Sequence, residues 1–431
     1  MLFKTVLCIL LYANILSCEC ELTPRTELYD AFNTFVRFSP TLFGYNFTEQ
    51  DEELYATSAK LQSVHLEIDE LISSYGYPVE KYVVSTEDGY NLGVFRIRGA
   101  GRPVFLMHGL MLSADDWVTV GPENGLAFLL AAEGFDVWLG NARGTKHSRA
   151  HASLSPNSAS FWDFSWDEIG RYDLPAMIDH VLRATNQSQL LYVGHSQGTT
   201  AFFVMAAERP CYNNKISLMV ALAPIAAVPN LKSPILQFIS YASLLHSDKL
   251  FALLRKYGVK EMRQQNALTK AVASTACAKS RIARAICSRV VFVMCGFNYP
   301  QLDLKSLPTV LSHLSSSVAF KQIEHYAQTF VSKRFARFDY GPLRNEALYG
   351  STAPPEYNVS AISTPVALFY GADDWLGSET DTLILRKKLK NVVDFHKVRD
   401  QNFKHVDFLY AKDVRELVFK PMLKQIKKPF L

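Results

Sequence analysis

Over most of this chain, short apolar runs closed by turn residues alternate with longer segments whose apolar positions recur at helical spacing. The apolar runs predict buried strands at residues 103–107, 135–139, 190–193, 216–222, 365–370 and 391–398. Two further strands are expected at 81–86 and 90–98, joined as a hairpin by Glu87-Asp88-Gly89. Helices are expected at 51–74, 123–133 and 173–184, over roughly a dozen residues after Ser196, and at 407–419. Strands and helices in this alternation imply a largely parallel sheet covered by helices, an α/β fold.

From about residue 228 to residue 355 the alternation stops. Helix-like runs at 235–245, 249–254, 271–287 and 317–333 follow one another, with 290–295 as the one short strand-like run. The pattern therefore predicts a core in two parts, 21–227 and 356–431, with a mostly helical domain at 228–355 inserted between strands six and seven of the sheet.

One junction carries chemistry. The run 190–193 ends in Gly194-His195-Ser196-Gln197-Gly198 and a helix follows. A Gly-x-Ser-x-Gly at a strand-to-helix turn lifts the serine oxygen clear of the sheet, and the turn is too tight for side chains at either glycine. Ser196 is thus the candidate nucleophile. The N–H of Gln197 opens the helix, where it can stabilise developing negative charge. The strand at 103–107 ends in His108-Gly109-Leu110-Met111, and in an α/β-hydrolase fold the loop after that strand supplies the second oxyanion donor, here the N–H of Leu110. Downstream, 365–370 leads to Asp373-Asp374 and 391–398 leads to a loop carrying His405. Serine, acid, histidine is the chain order such a triad requires. Side chains at consecutive positions face apart, so one of the two aspartates can meet the imidazole, and Asp374 is preferred. His405, on the loop, is preferred to His396 within the strand. The helical insertion then reads as a cap or lid over the site, its apolar faces forming an acyl-binding surface. The dense aromatics at 161–166 read as packing rather than a site.

Composition adds the setting. The chain has 431 residues, of which 48% are hydrophobic and 20% charged, enough for a packed globule. A net charge of +4 gives no reason to expect nucleic acid as a partner. Residues 1–20 carry one lysine, an apolar run and then small residues, the pattern of a secretory signal peptide too short for a transmembrane anchor. Sequons at Asn46, Asn186 and Asn358 agree with a secreted or lysosomal destination. Outside the signal, Cys211, Cys277, Cys287 and Cys295 remain. An oxidising compartment makes one disulfide plausible. Cys277 and Cys287 close the shortest loop that draws on no strand-like run, and Cys295 reads as a buried free thiol, but sequence alone leaves the pairing open. Nothing resembles a metal-binding cluster or a phosphate loop, so neither metal nor cofactor is expected.

Several stretches together resemble the acid lipase family of animals, which includes gastric, lysosomal acid and many insect lipases. They are Ser74-Tyr-Gly-Tyr-Pro-Val-Glu, Ser85-Thr-Glu-Asp-Gly-Tyr, His108-Gly-Leu-Met, Gly140-Asn-Ala-Arg-Gly, Tyr172-Asp-Leu-Pro-Ala, Gly194-His-Ser-Gln-Gly-Thr-Thr, Ala221-Leu-Ala-Pro and the segments around Asp374 and His405. The resemblance spans roughly residues 73–412. It implies an α/β-hydrolase fold with a cap, neutral lipid esters as substrates met at a lipid droplet, micelle or lipoprotein surface, and a disulfide matching Cys277 with Cys287. It also carries catalytic roles onto Ser196, Asp374 and His405 and oxyanion roles onto Leu110 and Gln197. Two other readings are a carboxylesterase for small or specialised esters and a lipid-binding protein without catalysis. One departure stands out: where the family commonly reads Leu-Ala-Asp-Pro after the acid, this chain reads Leu376-Gly-Ser-Glu.

Overall fold

The computed structural model describes residues 49–58, 63, 65–234, 236–237, 240, 260–262, 295–296, 298–314 and 316–428. The proposed signal peptide, Asn46, Cys277 and Cys287, and most of the expected cap helices lie outside these residues.

The hairpin β1 (Val79–Ser85) and β2 (Tyr90–Ile97) opens a nine-stranded mixed sheet. It continues through β3 (Pro103–Met107), β4 (Asp136–Gly140) and the two-residue β5 (Ala150–His151), which pairs with β2. Then come β6 (Leu190–His195), β7 (Ile216–Leu222), β10 (Val366–Tyr370) and β11 (Val392–Lys397). The spatial order is β1-β2-β4-β3-β6-β7-β10-β11. From β4 onward neighbouring strands are parallel.

Period-two alternation explains why the parallel strands are apolar throughout. In β6, Leu190 and Tyr192 enter one core while Leu191 and Val193 enter the other, and in β3 Phe105 and Met107 oppose Val104 and Leu106. Helices cover both faces. The helix Leu174–Thr185 buries Leu174, Met177, Ile178 and Val181, one stripe at helical spacing, and packs into the first core. Pro175 suits its first turn, and Asn186 ends it in the left-handed region at φ 52°. Each such side chain, fully buried, stabilises the fold by about 1.5–3 kcal/mol. Helices Leu126–Ala132 and Lys420–Ile426 line the opposite core.

Several expected elements are corrected. The single helix expected at 51–74 is two, Glu49–Ser58 and Ile68–Ser74, the second opened by a reciprocal capping box between Glu67 and Glu70. The helix expected at 123–133 is broken at Gly125, which separates Gly121–Asn124 from Leu126–Ala132. The closing helix expected at 407–419 is a short turn, Asp407–Tyr410, then a π-turn at Arg415–Phe419 that runs into Lys420–Ile426.

Leaving aside β5, β7 and β10 are the sixth and seventh strands of the sheet, and they pair directly, so residues 223–365 form an excursion from it. Within this excursion the described helices are Leu307–His313, Phe320–Ser332 and Pro342–Tyr349. A small antiparallel ladder, β8 (Glu261–Met262) with β9 (Val318–Ala319), was not expected and delays the start of the helix placed at 317–333. The runs 235–245, 249–254, 271–287 and 290–295 lie wholly or largely outside the described residues. Among the described residues no helix is long and apolar enough to cross a membrane.

Candidate active site

Strand register assembles the site at the carboxyl ends of the parallel strands. Met107 lies opposite Gly194, His195 opposite Leu222, and Leu222 opposite Phe369, so the loops after β3, β6 and β10 emerge side by side. Two backbone bonds tie these ends together: the Ser196 N–H donates to the Leu222 carbonyl at 3.0 Å and the Ala223 N–H to Phe369 at 2.9 Å.

Ser196 sits at φ 53° and ψ −118°, a conformation that L-residues rarely adopt and that a tight strand-to-helix turn enforces. The flanking glycines are required by contact. A Cβ on Gly198 would come within 2.3 Å of the Met107 carbonyl oxygen, and one on Gly194 within 2.9 Å of the Gly198 backbone. On the facing loop, a Cβ on Gly109 would stand 3.0 Å from the Ser196 Cβ.

Ser196 Oγ lies 2.7 Å from His405 Nε2, and His405 Nδ1 lies 2.8 Å from Asp374 Oδ2. The carboxylate only accepts, so Nδ1 carries the ring proton and Nε2 is left to accept from the serine hydroxyl. Asp374 is fully buried and His405 nearly so. Burial works against the Asp374 charge, but the His405 ring and the N–H groups of Leu376 (2.8 Å) and Gly377 (2.9 Å) outweigh it and hold the carboxyl below its usual range. The departure at Leu376-Gly-Ser-Glu is therefore accommodated, because the support of the acid is main-chain N–H. Ser378 in turn caps the next helix, Glu379–Lys388, accepting from the Asp381 N–H.

Asp373 points elsewhere, to Lys404 and, at 3.6 Å, to Lys232. His396 lies against the Phe369 ring and takes no part. His147 and His313 bond Asp115, and His325 stacks on Trp166, with centroids 3.6 Å apart. The aromatics Phe161, Trp162, Phe164 and Trp166 are all buried, as packing requires.

Leu110 follows Gly109 on the loop beside Ser196, and Gln197 is the first residue of the helix Gln197–Glu208. Among the described residues neither N–H meets an acceptor, so both are available to an incoming oxyanion. The loop is held by a residue that sequence reasoning left unassigned. His108 Nδ1 donates to the Gly109 carbonyl at 2.8 Å while its Nε2 accepts from the Ala142 N–H at 3.1 Å. Burial pushes its pKa down to about 4, which keeps the ring neutral and able to do both. Arg143, part of Gly140-Asn-Ala-Arg-Gly, proves structural: buried, it joins Asp173 (2.7 Å) to Asp88 (2.6 and 2.8 Å). Only the position of His108 at a strand end hinted at its part.

A separate cleft of about 850 Å3, lined by residues such as Trp162, Lys321, Phe338 and Arg344, includes none of Ser196, Asp374 and His405. Cys211 and Cys295 are free thiols, the second buried. Asn186 and Asn358 are exposed. Among the described residues no group of side chains suits a metal ion.

Residues 68–121 match the model for a partial alpha/beta-hydrolase lipase region and residues 102–281 that for the alpha/beta hydrolase fold. Lipase 1 of Drosophila melanogaster is 41% identical over 85% of this chain and 81% of its own length. Human gastric triacylglycerol lipase is 37% identical over 85% and 92%, respectively. The lysosomal acid lipase/cholesteryl ester hydrolase of Macaca fascicularis is 35% identical over 86% and 94%. A solved structure from Sulfolobus solfataricus shares the fold at a TM-score of 0.52 and 14% identity, covering 78% of this chain and 89% of that one.

Proposed function

Since this chain belongs to the α/β-hydrolase lipase family that includes gastric, lysosomal acid and insect lipases, and is thereby a carboxylic ester hydrolase, we propose that it cleaves neutral lipid esters through Ser196, His405 and Asp374. The observation that carries this assignment is the unbroken relay from Ser196 Oγ to His405 Nε2 (2.7 Å) and from His405 Nδ1 to Asp374 (2.8 Å), beside two unengaged N–H groups.

In this mechanism His405 takes the proton of Ser196 as the oxygen attacks the ester carbonyl. Asp374 holds the imidazole in the required tautomer and stabilises its positive form. The N–H groups of Leu110 and Gln197 receive the oxyanion, each worth about 3 kcal/mol in the transition state. The protonated alcohol departs, water activated by His405 attacks the acyl-enzyme, and the fatty acid is released. No step calls on a metal or cofactor.

Triacylglycerols and cholesteryl esters, named for two of the relatives, are the proposed substrates, met at a droplet, micelle or lipoprotein surface. The segment 228–355, within the excursion, is proposed as the cap that binds the acyl chain. A secretory route ending outside the cell or in lysosomes, with a cleaved signal at 1–20, a Cys277–Cys287 disulfide and glycans on Asn46, Asn186 and Asn358, completes the reading. The exposure of Asn186 and Asn358 supports the last point.

Fatty acid release from emulsified trioleoylglycerol and cholesteryl oleate, set against hydrolysis of a dissolved short-chain ester, tests the substrate class. Turnover of either emulsified lipid supports a lipase of neutral lipids. Turnover confined to the dissolved ester overturns that assignment in favour of a carboxylesterase.

A further inference from the structure

His405 stands on a loop between β11 and the turn Asp407–Tyr410, so its ring is only as well placed as its backbone. The residue before the nucleophile reaches across to that backbone. His195, buried at the end of β6, lies with Nε2 at 3.0 Å from the main-chain carbonyl oxygen of His405. A carbonyl can only accept, so Nε2 carries the proton and donates. Among the described residues no other donor reaches this carbonyl.

The second ring nitrogen makes the bond more telling. With Nε2 protonated, Nδ1 is a bare acceptor, and it is buried without a partner among the described residues, against the space a Cβ of Gly109 would take. The ring thus leaves one polar atom unsatisfied while making a single hydrogen bond, to the loop of the candidate base. Burial first, and the neighbouring His405 next, push the His195 pKa down to about 3. The ring therefore remains a neutral, singly protonated donor across the mildly acidic range.

We propose that His195 is a positioning residue, whose Nε2–H fixes the His405 main chain and so holds the imidazole in line with both Ser196 Oγ and Asp374. The proposal rests on the assignment of His405 as the base. It makes the nucleophile turn and the histidine loop one unit, because Ser196 and the residue that aligns its base are adjacent in the chain. A shift of about 1 Å in a reacting group can cost on the order of 100-fold in rate, so loss of this bond should appear in the chemical step.

The test compares His195→Leu, which removes the donor, with His195→Gln, whose amide N–H can reach the same carbonyl. His195→Asn, whose amide falls short, serves as a second donor-deficient variant if the leucine variant fails to fold. Ser196→Ala is measured alongside. kcat, KM, melting temperature and the rate of covalent labelling by a fluorophosphonate are recorded for each. The expected result is a fall in kcat and labelling rate of about 10- to 100-fold in His195→Leu or His195→Asn. KM and melting temperature should stay near wild type, and His195→Gln should recover most of the activity. Full kcat in the donor-deficient variants, or equal loss in His195→Gln, overturns the proposal. Failure of the underlying assignment would show separately, as turnover or labelling that persists in Ser196→Ala.

Discussion

Among single residues, few atoms separate a working serine from an inert one. Asp374→Asn keeps the volume but presents an amide to His405 Nδ1, favouring the wrong tautomer. kcat should fall by about 10^4-fold with little change in melting temperature, as measured by steady-state kinetics and calorimetry. Gly198→Ala acts differently, since its Cβ would meet the Met107 carbonyl at 2.3 Å and backbone must move. A loss of about 1–3 kcal/mol of stability is expected, visible in denaturant unfolding, together with lost activity. Asp407 gives a pH signature. Burial pushes its carboxyl up to about 7, despite bonds from the Lys404 N–H and the Asn298 amide, both at 2.7 Å. Between the ordinary carboxylate range and pH 7, the folded chain holds a proton that the unfolded chain has lost, so this group makes stability fall as pH rises through that window. Asp407→Asn mimics the protonated carboxyl. Its melting temperature should exceed that of wild type by a small margin at pH 5 and by a larger one at pH 8; a margin that does not change with pH would refute the assignment.

Elements explain which parts of this arrangement were readable in advance. The strands 103–107 and 216–222 fall where their apolar runs end, because a strand buried on both faces is almost wholly apolar and stops at the first turn signal. That Ser196, Asp374 and His405 meet was legible for the same reason, as each follows a strand whose end is marked, while the catalytic roles remain the proposal. Boundaries set by backbone detail were not legible. The break at Gly125 and the capping box at Glu67 interrupt patterns whose periodicity continues through them, and the two-residue strands β8 and β9 are too short to show any period. His195 and His108 were hidden because each reaches a main-chain atom distant in sequence, the His405 carbonyl and the Ala142 N–H, which no local motif encodes. Asp115 shows the same limit. It is fully buried, receives His147 (2.6 Å), His313 (2.7 Å) and Lys146, and so ties the segment after β3 to the helix Leu307–His313 of the excursion. Asp115→Ala would strand these groups around a cavity. A loss of about 3–5 kcal/mol is expected, and an unfolding midpoint unchanged in denaturant would contradict this role.

For the whole molecule, the sheet acts as a jig. Six parallel strands in register present their carboxyl ends on one edge, and the excursion at 223–365 leaves from that edge, after β7, and returns to β10. In the proposed reading the core holds the relay rigid and the excursion offers a separate surface for the acyl chain. The two demands can be varied independently: substitutions in the excursion should alter the ratio of trioleoylglycerol to cholesteryl oleate turnover, while those at strand ends should lower both. The most direct measurement is fatty acid release from these two emulsified esters by the wild-type chain and by Ser196→Ala under identical conditions. The wild type should turn over at least one ester and the variant none above background, with a matching melting temperature. Turnover by Ser196→Ala at the wild-type rate would contradict the role proposed for Ser196.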